Sequence, residues 1–69
     1  METYKVALDN KDGTYEVVKV VNGTKEEAVV EWNKVLDKQC DEYHKKKTIT
    51  TFRPVCLFDP DGVCILKES

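Results

Sequence analysis

No apolar run in this 69-residue sequence approaches the roughly 20 residues a helix needs to cross a bilayer. The opening Met1-Glu2-Thr3-Tyr4-Lys5 has no basic region followed by an apolar stretch, so no signal peptide is expected. An excess of one charge is also lacking: 11 Lys and Arg stand against 13 Asp and Glu, a formal net charge of −2. A dedicated polyanion binder carries a clear basic excess, which leaves room only for a local patch. Cysteine is scarce and odd in number. Cys40, Cys56 and Cys64 do not suit the paired framework of a secreted domain and read as reduced thiols, so a cytoplasmic protein is expected. There is no internal repeat and no linker long enough to divide the chain. Residues 1–69 therefore read as one domain, near the size at which a single core supplies only roughly 3–5 kcal/mol.

Glycine and proline are few, and most of them mark turns. Asn10-Lys11-Asp12-Gly13 and Asp59-Pro60-Asp61-Gly62 each lie between β-rich runs and predict hairpin turns with a type I start and a glycine at positive φ. Between them, Thr24-Lys25-Glu26-Glu27 has the spacing of a helix capping box. The order is hairpin, helix, hairpin, with predicted ranges 3–21, 25–43 and 48–67. The expected fold is α+β, a two-layer ββαββ arrangement. Its four-stranded, mainly antiparallel sheet, in the order 2-1-3-4, carries one helix on one face.

Alternation in the first strand puts Tyr4, Val6 and Leu8 on one side. With Gly13 as a bulge, Val6 should oppose Val18 and Tyr4 should oppose Val20; a register one residue away stays open. Along the helix, Ala28, Val29, Trp32, Val35, Leu36 and Tyr43 form one stripe. The run from Thr48 to Phe58 is β-branched and aromatic but interrupted by Pro54, which makes it an edge there, or bulged, or split in two. With Gly62 as a bulge, Phe58 opposes Cys64, Leu57 opposes Ile65 and Cys56 opposes Leu66. This second hairpin is apolar on both faces. Cys56, Phe58, Cys64 and Leu66 line one side, and Val55, Leu57, Val63 and Ile65 the other. One helix covers one face of a sheet, so the second face needs another cover. A protein partner or a symmetric homodimer would supply it, with Arg53, Val55, Leu57, Val63 and Ile65 as the expected interface.

Candidate chemistry is thin. Cys40 and His44 are neighbours on the helix and could form an activated thiol, but Asp41 and Glu42 beside them raise a thiol pKa, and no glycine-rich oxyanion loop is present. No catalytic residue is assigned. Cys40, His44, Cys56 and Cys64 make up the ligand set of a structural zinc, yet lack its short knuckle spacing; no metal and no cofactor is expected, and the cysteines read as small hydrophobes. A Cys56–Cys64 disulfide is not expected either, because the two lie diagonally across the predicted hairpin. Lys45, Lys46 and Lys47, with Arg53 and Phe52, form a small basic and aromatic surface that supports nucleic-acid contact as an alternative function.

Two resemblances rest on short motifs. Leu57-Phe58-Asp59-Pro60-Asp61-Gly62-Val63 is similar to the terminal strand-turn-strand signature of the vicinal-oxygen-chelate enzymes. Those enzymes draw metal ligands from several modules that this chain lacks, so their activity is not carried over. The layout of a hairpin, then Thr24-Lys25-Glu26-Glu27-Ala28 opening a helix with Trp32, then Thr50-Thr51-Phe52-Arg53-Pro54-Val55, resembles small bacteriophage proteins, short inhibitors of bacterial RNA polymerase among them. This chain has a fourth strand beyond that layout. The resemblance implies a module that docks on a larger host protein, with Arg53 as a strand-borne contact. The expectation is thus a non-enzymatic protein-interaction module that self-associates.

Overall fold

Valine-rich and alternating segments on either side of a glycine turn pair into hairpins. A computed structural model, which describes residues 2–68, places β1 at Glu2–Asp9, β2 at Tyr15–Gly23, α1 at Lys25–Cys40, β3 at Val55–Phe58 and β4 at Cys64–Glu68. The sheet order is β2-β1-β3-β4, with every neighbouring pair antiparallel. This is the two-layer ββαββ fold, with α1 packed on one face.

Both turns close on a glycine at positive φ, Gly13 at 92° and Gly62 at 85°. The second has the expected form, with Gly62 N–H donating to the Asp59 carbonyl and Asp59 N–H to the Val63 carbonyl, both at 2.9 Å. The first does not start as type I. Lys11 is itself left-handed at φ 65°, its N–H drawn to Asp9 Oδ1 at 2.7 Å. A carboxylate that accepts locally can offset part of the cost of that conformation.

Pairing follows the expected register beside each turn and then slips by one. In the first hairpin Ala7 opposes Val17, but Val6 opposes Lys19 and Tyr4 opposes Val21, so Val18 is the extra residue of a β-bulge. In the second, Phe58 opposes Cys64, but Leu57 opposes Leu66 and Cys56 opposes Lys67, with Ile65 extra. Each bulge lies on an outer strand. The first slip brings Val21 under the helix, 8 % exposed, where the unslipped register would have turned Val20 inward.

Thr24 caps α1, its hydroxyl accepting from Glu27 N–H at 3.2 Å. The Glu27 carboxylate lies against Gly23 Cα, where a Cβ would collide with it. At its far end the helix runs past the expected residue 43 and widens into a π-turn over Asp41–Lys45. Lys46 N–H there donates to the Asp41 carbonyl at 2.9 Å, and Lys47 reverses the chain at φ 54°. The long strand expected from residue 48 forms only after Pro54, because the β-branched residues before it have no ladder partner. The core consists of Tyr4, Val6, Leu8 and Val21 from the first hairpin, Ala28 and Trp32 from α1, and Val55 and Leu57 from β3. Trp32 Nε1 donates to the Val55 carbonyl at 3.0 Å, which seats the indole without leaving its N–H unpaired.

Candidate interaction surfaces

The expected interface does not lie opposite the helix. Val55 and Leu57 are both 0 % exposed and belong to the core beneath α1. Ile65 is half-buried and packs against the same cluster, helped there by the bulge. Only Val63, beside the second turn, stands in solvent. Arg53 is not on a strand. It lies before Pro54, and its guanidinium reaches the first hairpin, donating to Asn10 Oδ1 at 3.0 Å and facing Glu16 Oε1 at 3.6 Å. Its role in this geometry is to tie the 46–54 segment to the β1–β2 turn.

The correction has a plain cause. In β3 the two alternating sets are Val55 with Leu57, and Cys56 with Phe58, and both are apolar. Val55 and Leu57 pack in the core cluster with Trp32, and theirs is the set turned inward. The face turned away from the helix then carries Cys56 and Phe58, with Lys5 and Ala7 of β1 and Tyr15, Val17 and Val20 of β2 in register beside them. Tyr15 is 45 % exposed, and Val17 and Val20 are each 50 % exposed. The Tyr15 and Phe58 rings meet edge to face at 5.1 Å. Rings from β2 and β3 meet only by crossing the intervening β1, and the small Ala7 leaves room for it. This accounts for Ala7 and Cys56 being fully buried on a face no helix covers. The expected register places Val18 and Val20 beside Val6 and Tyr4 on the inward face, and the bulge at Val18 turns Val20 outward instead. The available signal was the valines of β2 at alternating and adjacent positions, more than one buried face can absorb.

Electrostatics at the rim of this face are local. Lys67 Nζ lies 2.9 Å from Asp9 Oδ2. The hydrogen bond from Lys67 is the main reason that the Asp9 carboxyl titrates below its usual value, with the Lys11 N–H adding to it. Burial pushes the Cys56 thiol up to about 11, with the neighbouring Cys64 contributing. A thiol held protonated in this way is a poor nucleophile and a poor metal ligand. The Cys40, His44, Cys56 and Cys64 set is not assembled, and among the described residues no three His, Cys, Asp or Glu side chains gather to hold a metal ion.

A second surface forms at the π-turn. Tyr43 packs edge to face on His44 at 4.8 Å and on Phe52 at 5.9 Å. Lys45, Lys46 and Lys47 follow on directly and are exposed, although Lys46 is held by Asp41 at 3.2 Å. Basic and aromatic groups expected from separate segments thus meet, whereas Arg53 turns instead toward Asn10 and Glu16. No helix among the described residues is long and apolar enough to cross a membrane. Neither a protein-family model, nor a characterised protein, nor a solved structure matches the chain.

Proposed function

We propose that this chain is a small non-enzymatic protein-interaction module that works through the sheet face opposite α1, and that its simplest partner is a second copy of itself. The observation that carries this reading is the exposed row of Tyr15, Val17 and Val20 beside the half-buried Phe58, on a face with no covering layer. Lys5 stands among them and can lay its stem on apolar neighbours while its ammonium stays in water. Strands of four to nine residues give this face a projection of roughly 400 Å². That is smaller than the roughly 800 Å² of accessible surface per partner in a standard interface, so a concentration-dependent dimer is expected rather than an obligate one.

Sedimentation over a range of concentrations tests the reading. The wild-type chain should shift from monomer to dimer, and Val20→Glu should stay monomeric with an unchanged circular dichroism spectrum. Leu57→Glu, by contrast, places a charge in the core and should unfold the protein. A wild-type chain that stays monomeric at the highest attainable concentration overturns self-association. A second reading, nucleic-acid contact at Tyr43, His44 and Phe52 with Lys45, Lys46 and Lys47, is favoured by the aromatic cluster beside the lysines. Its mark is an affinity that falls steeply with salt, which an apolar interface does not show.

A further inference from the structure

The stripe of α1 that faces the sheet runs through Ala28, Trp32, Val35 and Leu36, and the next position on it is Gln39. This glutamine is only 7 % exposed, at a place where an aliphatic side chain would be buried without needing hydrogen bonds. Its Oε1 accepts from Arg53 N–H at 3.4 Å. Its Nε2 has no acceptor among the described residues. No fully buried side-chain nitrogen or oxygen there lacks a partner, so Nε2 keeps some contact with solvent. Gln39 lines a cleft of about 350 Å³ between α1, the first hairpin and the segment before β3.

The aliphatic part of its lining is Leu8, Val18, Val35 and Ile49. Of the charged groups around it, Arg53 and Glu16 already face each other. Lys38 and Glu42 also line it or its rim, one helical turn apart, and neither makes an ion pair among the described residues. One available cation, one available anion and one amide therefore share the lining with four aliphatic side chains. A purely anionic ligand would leave Glu42 opposed to it, and a purely cationic one would do the same to Lys38.

We propose that this cleft binds a free α-amino acid with an aliphatic side chain. Lys38 Nζ and Gln39 Nε2 hold its carboxylate, Glu42 takes its ammonium, and Leu8, Val18, Val35 and Ile49 receive its side chain. The volume is within the range of small-molecule sites and leaves space for bridging water. The cleft lies on the helix side of the sheet, so its occupancy and association through the opposite face stand or fall separately.

The test is a titration of the full chain with leucine, followed by heteronuclear NMR. Leucine should shift the Gln39 side-chain amide and the backbone signals of Leu8, Val18 and Ile49. Isocaproate, which lacks the ammonium, should bind about tenfold more weakly, the scale of one lost charge-assisted hydrogen bond, and isopentylamine, which lacks the carboxylate and both of its contacts, should lose more than that. Lys38→Met and Glu42→Gln alter exposed or rim positions and should each weaken leucine binding about tenfold with the fold unchanged. Gln39→Leu should do likewise, and the two rim variants keep the test decisive if that core change unfolds the chain. The proposal is overturned if millimolar leucine leaves these signals unmoved, if either analogue binds as tightly as leucine, or if the rim variants bind leucine as the wild type does.

Discussion

Lys47 holds the end of the helix in a left-handed conformation, φ 54°, that glycine adopts at far lower cost. Lys47→Gly should therefore stabilise the protein by about 0.5–1 kcal/mol, read from urea unfolding. Nothing about a lysine signals such a backbone, so a positive φ is legible in the sequence at Gly13 and Gly62 and not at Lys11 and Lys47. The Asp9–Lys67 pair is likewise invisible in the sequence, since it joins residues from opposite ends of the chain. Its consequence for pH follows from the sign of the shift. Asp9 titrates below its usual value in the folded protein, so its contribution is present above the ordinary carboxylate range and is lost as pH falls through the folded pKa. Lys67, raised by the same contact, stays charged throughout that window. In Lys67→Met the Asp9 carboxyl should titrate closer to its ordinary value, and NMR of its carboxyl carbon checks this. The variant should be less stable than wild type at neutral pH, and the difference should close in acid.

Among the elements, α1 was the most readable, because capping residues and a 3.6-residue stripe act locally and reinforce each other. The gap in that stripe at Gln39, between Leu36 and Tyr43, is equally legible. The strands were readable near their turns and not beyond, since Val18 and Ile65 are ordinary strand residues and carry no sign of a bulge. Residues 48–51 read as strand from β-branched propensity, but with Pro54 ahead of β3 and no neighbour to pair with, propensity gave way to tertiary context. Helix and sheet are locked together by the Trp32 indole. Trp32→Phe keeps most of its apolar area but gives up the bond to the Val55 carbonyl, and should cost about 0.5–1.5 kcal/mol in thermal or chemical unfolding. The tryptophan fluorescence lost in that variant makes circular dichroism the appropriate probe.

For the whole molecule, the layer arrangement and strand order follow from two hairpins around one amphipathic helix, and both were expected. Which side of β3 the helix would cover was not decidable from alternation, because Val55 with Leu57 and Cys56 with Phe58 are both apolar sets. Volume and partnership decide it. Val55 and Leu57 fill the layer beneath Trp32, whereas Cys56 sits with Ala7 under the Tyr15–Phe58 ring pair. The candidate interface thus moved from the second hairpin to a surface dominated by the first, and only the whole sheet reveals it.

The two β-bulges have a consequence for assembly. Sideways growth of a sheet into a fibril requires a straight edge that offers its N–H and C=O groups in even register to the next chain. Here both outer strands are kinked, one at Val18 and the other at Ile65. Copies of the protein are thereby steered away from stacking edge on edge without limit, and the proposed pairing by faces, if two-fold, would use up the exposed surface and stop at two.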